Sequence, residues 1–105
     1  MYRKGFIMQV YADKHAEYKK RHDEIWQELA TELLNHGVKT YSIFLDAKTN
    51  QLFGYVEVEN LERWQDMANT AVCQKWWKFM ADVMPSNIDN SPESRDLKEV
   101  FYLAK

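Results

Sequence analysis

Apolar and polar residues alternate over residues 2–11, with Phe6, Met8 and Val10 set against Arg3, Gly5, Ile7 and Gln9. Apolar groups on both faces around the middle predict a central strand. The period then changes. Residues 14 to about 36 predict one long amphipathic helix, with Asp13 as N-cap and Gly37 supplying the left-handed position that ends it. Two strand-like runs, residues 39–46 and 51–59, flank the turn-prone Asp46-Ala-Lys-Thr-Asn50 and predict a β-hairpin. Asn60 can cap a short helix carrying Leu61, Trp64, Met67 and Ala68, and Asn69 and Thr70 offer a second cap. Val72, Trp76, Phe79, Met80 and Val83 then recur at helical spacing as far as Met84, where Pro85 stops the helix. Residues 85–94 are polar, contain both prolines and lack a period, so they read as a loop. Leu97, Val100, Phe101, Tyr102 and Leu103 predict a last strand over 97–103.

The resulting order, β-α-β-β-α-β, defines an α+β class of ferredoxin-like type: an antiparallel sheet with its helices on one face. Residues 1–105 form a single domain, as a mass of 12.6 kDa requires. A folded surface of roughly 6,200 Å² is expected at that mass. Helices can cover only one face of the sheet, yet the first three strands carry bulky apolar residues on both. The second face is therefore expected to meet another copy of the chain, giving a homodimer.

Composition narrows the function. Lys plus Arg is 14 and Asp plus Glu is 16, a net charge of -2 with no basic cluster, so nucleic acid is not an expected partner. The single Cys73 cannot form an internal disulfide, and no secretory pattern or membrane-length apolar run is present. A soluble cytoplasmic protein without membrane partners is expected. Three glycines leave no phosphate-cradling loop. What remains distinctive is the 14% aromatic content, including 4 Trp and 6 Tyr.

Tyr18, His22, Trp26, Leu29 and Leu33 fall on one stripe of the first predicted helix. A lone His in such a stripe is ordinarily a hydrogen-bonded core residue, and the alternative is general acid–base work near neutral pH. Spacing alone leaves both open. Arg21, Asp23 and Glu24 point elsewhere around the helix and are expected at a rim or in solvent. His15 in the first turn and His36 in the last are expected to be solvated or capping. Trp76 and Trp77 point about 100° apart, so one is expected in the core and the other along a cleft or sheet edge. Tyr41, ranked above Tyr55, and Tyr18 could orient a ligand through their hydroxyls. No metal site is expected, since the three histidines lack ligand spacing, and Cys73 reads as a buried, inert thiol. The 85–94 loop, with Asn87, Asp89, Asn90 and Ser91, either covers a site or is a solvated connection.

These residues carry a resemblance to the L-rhamnose mutarotase family over essentially the whole chain. The matching pieces are Lys20-Arg-His22 with Ile25-Trp26, Val72-Cys-Gln-Lys-Trp76-Trp77-Lys-Phe-Met80-Ala-Asp-Val-Met84, Asp89-Asn-Ser-Pro92 and Glu99-Val-Phe-Tyr-Leu103. Gln27 and Ile88 depart from the pattern, standing where Pro is common. The resemblance implies a dimeric α+β barrel that interconverts the anomers of L-rhamnose in the cytoplasm without a cofactor. It further implies His22 as proton donor and Tyr18, Tyr41, Trp76 and Trp77 as sugar-binding residues. The base is not assigned: Tyr18, water or Asp89 are candidates, with Asn87 a further loop contact. Two other readings use the same residues, a non-catalytic small-ligand-binding module and a haem-degrading or monooxygenase-type dimeric barrel.

Overall fold

The computed structural model describes residues 1–105. Strands β1 (Tyr2–Gln9), β2 (Val38–Asp46), β3 (Gln51–Val58) and β4 (Arg95–Leu97) form one antiparallel sheet in the order β2-β3-β1-β4. Helices α1 (His15–Asp23), α2 (Gln27–Asn35), α3 (Leu61–Asp66) and α4 (Ala71–Met80) occupy the connections, and a 3-10 turn, Met67–Asn69, joins the last two. The ferredoxin-like α+β arrangement read from the sequence is the one observed. No helix is long and apolar enough to cross a membrane.

Strand register separates the two faces. Opposite one another on the helix side lie Ile43, Gly54 and Phe6, and beside them Leu45, Leu52 and Met8. The other face carries Phe44, Phe53 and Ile7. The core forms on the helix side from Leu52, Val56, Val58, Val72, Met80 and Val83, with little or no exposure. The opposite face leaves Phe44 two-thirds exposed, and Phe53 and Leu97 also reach solvent.

Local signals explain most boundaries. The hairpin turn is held by Asp46, whose side chain accepts from the Lys48 amide at 3.0 Å, while Asn50 takes φ 62°. Asn60 caps α3 by accepting from the Arg63 amide at 2.9 Å, and Thr70 caps α4 through the Cys73 amide at 3.3 Å. Gly37 takes φ 89° after α2, a value that costs a glycine little.

Five expectations are corrected. The single helix over 14–36 is two, because Trp26 adopts extended φ/ψ between α1 and α2. This turn lets α1 follow its ionic partner while Trp26 enters the aromatic core: Arg21 reaches Asp82 at 2.8 Å, and Trp26 packs on Trp76 at 5.1 Å. Arg21 is therefore not a solvent-facing residue, and Asp13 is not the cap, since α1 begins after Lys14 without a side-chain cap. Next, α4 ends at Met80, although Val83 and Met84 stay buried in the turn that follows. Finally, β4 covers only Arg95–Leu97. Residues 98–105 find no backbone partner, because the sheet's last neighbour on that side, β1, is paired with β4 over three residues only.

Gly54 is the more tightly enclosed of the two glycines in the sheet. A Cβ there would stand 2.3 Å from the Phe6 ring, which lies edge-on to Tyr41 at 6.1 Å. Gly54→Ala must displace Phe6 and is expected to lower stability by about 1–3 kcal/mol. Urea unfolding at fixed protein concentration checks this; an unchanged midpoint would mean that Phe6 is loosely held.

Candidate active site

Between the helices and the sheet lies a cavity of about 900 Å³ lined by twenty residues, fifteen of them hydrophobic. Its volume suits a small ligand. One wall is α1, with Tyr18 and His22 a helical turn apart. Another is α4, and the floor is β2 with Tyr41, Ile43 and Leu45.

His22 is held in this space by three contacts. Its Nδ1 lies 3.0 Å from the Tyr18 carbonyl oxygen, the ring stacks on the Tyr18 ring at 4.4 Å, and its other side meets the edge of Trp76 at 5.4 Å. A carbonyl can only accept, so Nδ1 carries the hydrogen, and the neutral ring keeps its lone pair at Nε2. Burial lowers the imidazole pKa below its ordinary value, partly opposed by the Tyr18 carbonyl and by the Asp23 charge. The resting ring at neutral pH is therefore uncharged.

Tyr18 and Tyr41 supply hydroxyls. Burial raises the pKa of both phenols, and for Tyr18 the nearby Tyr41 adds to the effect. Both stay protonated donors. No protein group engages either hydroxyl; Tyr18 is buried and Tyr41 is 37% exposed, and both residues line the cavity. Tyr41 is set by edge-on contacts with Phe6 and Trp64, the latter at 5.8 Å. Tyr55 lies on the other face of the sheet, its hydroxyl donating to Glu57 at 2.6 Å.

Trp76 belongs to the core and Trp77, half-buried, lines the cavity, in keeping with the expectation of one core and one cleft residue. Trp76 does both: it is buried, yet it borders the space.

The loop residues are not brought there. Asn87 donates to the Ser91 hydroxyl at 3.0 Å, and the Asp89 carboxylate accepts from the Ser91 amide and hydroxyl. Ser91 holds the Asp89 pKa below the usual carboxylate range, and the loop folds on itself away from the cavity. Asp89 is thus not within the site of its own chain. Sequence reasoning also missed His15, which lines the cavity with Nε2 2.8 Å from Asn50 Oδ1. Its spacing of seven residues from His22, two turns on one face, was the available signal. Trp64 and Met67 were read only as helix packing and are lining residues too. Cys73 behaves as expected, buried with its thiol pushed up to about 11. No three His, Cys, Asp or Glu side chains gather as a metal-binding group.

Fold and site together define a ferredoxin-like α+β protein that presents an uncharged imidazole and two phenols inside an aromatic cavity. The chain belongs to the L-rhamnose mutarotase family, whose model matches residues 3–103. It is 67% identical to the L-rhamnose mutarotase of Mannheimia succiniciproducens over 103 residues, 98% of this chain and 99% of that protein. The crystal structure of the L-rhamnose mutarotase FA22100 from Formosa agariphila superposes with a TM-score of 0.93 at 44% identity, covering 99% of this chain and all of that one. An antibiotic biosynthesis monooxygenase structure shares the fold, with a TM-score of 0.64 at 10% identity over 95% of this chain and 99% of that one. That likeness is one of fold alone.

The lowered pKa has a sign that can be checked. The unfolded chain binds more protons than the folded one between the folded value and the ordinary 6.5, so stability contributed by this ring rises with pH through that window and is lost as pH falls. Nitrogen-15 titration of the imidazole is expected to give a His22 midpoint below 6.5 with the neutral hydrogen on Nδ1. A midpoint above 6.5 would contradict the buried, carbonyl-bonded geometry.

Proposed function

We propose that this chain is a carbohydrate isomerase that interconverts the α and β anomers of L-rhamnose, with His22 as its proton carrier. Family membership supports the substrate. The observation that carries the mechanism is the hydrogen bond from His22 Nδ1 to the Tyr18 carbonyl. It leaves Nε2 as the only ring nitrogen able to exchange a proton.

Ring opening requires loss of the proton on the anomeric hydroxyl, cleavage of the bond from C1 to the ring oxygen, and protonation of that oxygen. The neutral ring takes the first proton at Nε2 and becomes imidazolium, whose charge the Tyr18 carbonyl and Asp23 favour. The same Nε2 then protonates the ring oxygen, so His22 is both the donor and the missing base. Rotation about C1–C2 and the reverse steps close the ring on the other face of the aldehyde. No electrons leave the sugar, so the chemistry requires no redox cofactor. The Tyr18 and Tyr41 hydroxyls orient the sugar by donating to its oxygens, and Trp76 and Trp77 offer aromatic faces to its C–H groups. The enzyme works as a homodimer in the cytoplasm, the uncovered sheet face meeting its counterpart.

His22→Gln tests the assignment, because Gln keeps reach and hydrogen bonding but cannot shuttle a proton. Exchange NMR between the two anomeric protons of L-rhamnose is expected to show catalysed interconversion falling by roughly 10²-fold or more. Folding and sugar binding, followed as a change in tryptophan emission on adding L-rhamnose, are expected to survive. Exchange at the parent rate would make His22 a structural residue.

A further inference from the structure

We infer that His15 is a further sugar-binding residue, which holds the hydroxyl across the ring from the anomeric carbon and so makes the site selective at C4. This deepens the mechanism above and rests on it. The cavity contains a second imidazole that the reaction does not use. His15 is the first residue of α1, half-buried, and lines the same space as His22.

The two rings are held in complementary ways. Seven residues make about two helical turns, so both side chains leave one face of α1, about 10.5 Å apart along its axis. In His22 the Tyr18 carbonyl takes the hydrogen of Nδ1 and leaves Nε2 to the ligand. In His15 the Asn50 Oδ1 accepts from Nε2 at 2.8 Å and leaves Nδ1. Asn50 is itself fixed by the hairpin. It takes φ 62°, its amide donates to the Asp46 carbonyl at 2.9 Å, and its own carbonyl accepts from the Val10 amide at 3.0 Å. The sheet, rather than α1, therefore orients the His15 ring.

The spacing fits a pyranose. A ring of about 5–6 Å from the anomeric oxygen to the oxygen on C4, with a hydrogen bond of about 2.8 Å at each end, spans about 11 Å. With the anomeric hydroxyl at His22 Nε2, the C4 hydroxyl falls at His15.

The count of polar partners points the same way. L-Rhamnopyranose carries five oxygens. His22 works on two, the anomeric hydroxyl and the ring oxygen, and the Tyr18 and Tyr41 hydroxyls take two more. One hydroxyl is left over. At the His15 end the sheet presents Leu45 and Leu52, the first helix-side pair after the hairpin turn, and neither side chain can bond a hydroxyl. Burying that hydroxyl unpaired is unfavourable, and the imidazole removes the penalty. Lys19 and Asp23 also line the cavity, but they are exposed and joined to each other at 2.8 Å.

The test uses His15→Gln in the full-length protein. The Gln amide stands where Nε2 does and keeps the bond to Asn50, but it offers nothing at the Nδ1 position. Steady-state kinetics on L-rhamnose are expected to show a KM raised about tenfold, with kcat within about twofold of the parent. The parent is expected to prefer L-rhamnose to its 4-deoxy analogue by a similar factor, and the variant to treat the two alike. An unchanged KM with the preference retained would overturn the inference and make His15 a fastening between α1 and the hairpin. So would an equal loss of kcat on both sugars with a displaced His22 titration midpoint, because a structural role acts through His22. If the variant does not fold, nitrogen-15 spectra of the intact protein decide. The His15 Nδ1 signal is expected to move on adding L-rhamnose and to stay in place on adding the 4-deoxy sugar; a signal that ignores L-rhamnose overturns the inference. Parent protein that fails to exchange the anomers would remove the mechanism above, and the same His15 signal would still show whether the contact is made.

Discussion

Trp76 is the contact on which the interior is organised. Its ring meets His22 edge-on, Trp26 edge-on and Phe79 at a tilt, all within 5.1–5.6 Å. Aromatic pairs of this kind contribute about 0.5–1.5 kcal/mol each beyond their burial. More important is what they constrain. Trp26 meets Trp76 from the break between α1 and α2, and Arg21, near the end of α1, binds Asp82 and the Phe79 carbonyl. α1 is thereby fixed against the end of α4, and His22 is carried on α1 to the cavity wall. Support of a reactive side chain by packed neighbours is what holds such geometry to within a fraction of an ångström.

Strand alternation, the caps at Asn60 and Thr70 and the glycine at 37 are local signals, and each element they mark is present. Non-local choices were harder to read. The break at residues 24–26 lies within an unbroken helical period, and only tertiary contacts select it. Gln27 does carry a trace of it: this residue, standing where the family commonly has Pro, is the first of α2, the helical position that tolerates Pro best. The same holds at the C-terminus, where residues 98–103 have strand composition but no neighbour in their own chain.

The site was legible in its polar members and obscure in its walls. The stripe of Tyr18, His22, Trp26, Leu29 and Leu33 placed His22 inward, and a polar group there needs a partner. That the partner would be the carbonyl one turn back could not be told from spacing, because side-chain rotation decides it. His15 was set aside by its position in the first turn, although Asn50 in the hairpin, thirty-five residues away, turns it toward the cavity. The reverse occurred at Asp89, whose chemistry suggested a base but whose own loop occupies its oxygens.

Tyr18 serves His22 in two ways that differ in how they can change over time. Its ring is a side-chain feature, open to replacement by any flat group. Its carbonyl belongs to the main chain, and every residue placed four before a helical histidine presents the same oxygen. The position of the imidazole hydrogen is thus inherited from helical geometry and is insulated from amino-acid drift at residue 18. Related chains can vary the pocket around His22, and with it their choice of sugar, without having to re-establish which nitrogen is free to accept a proton.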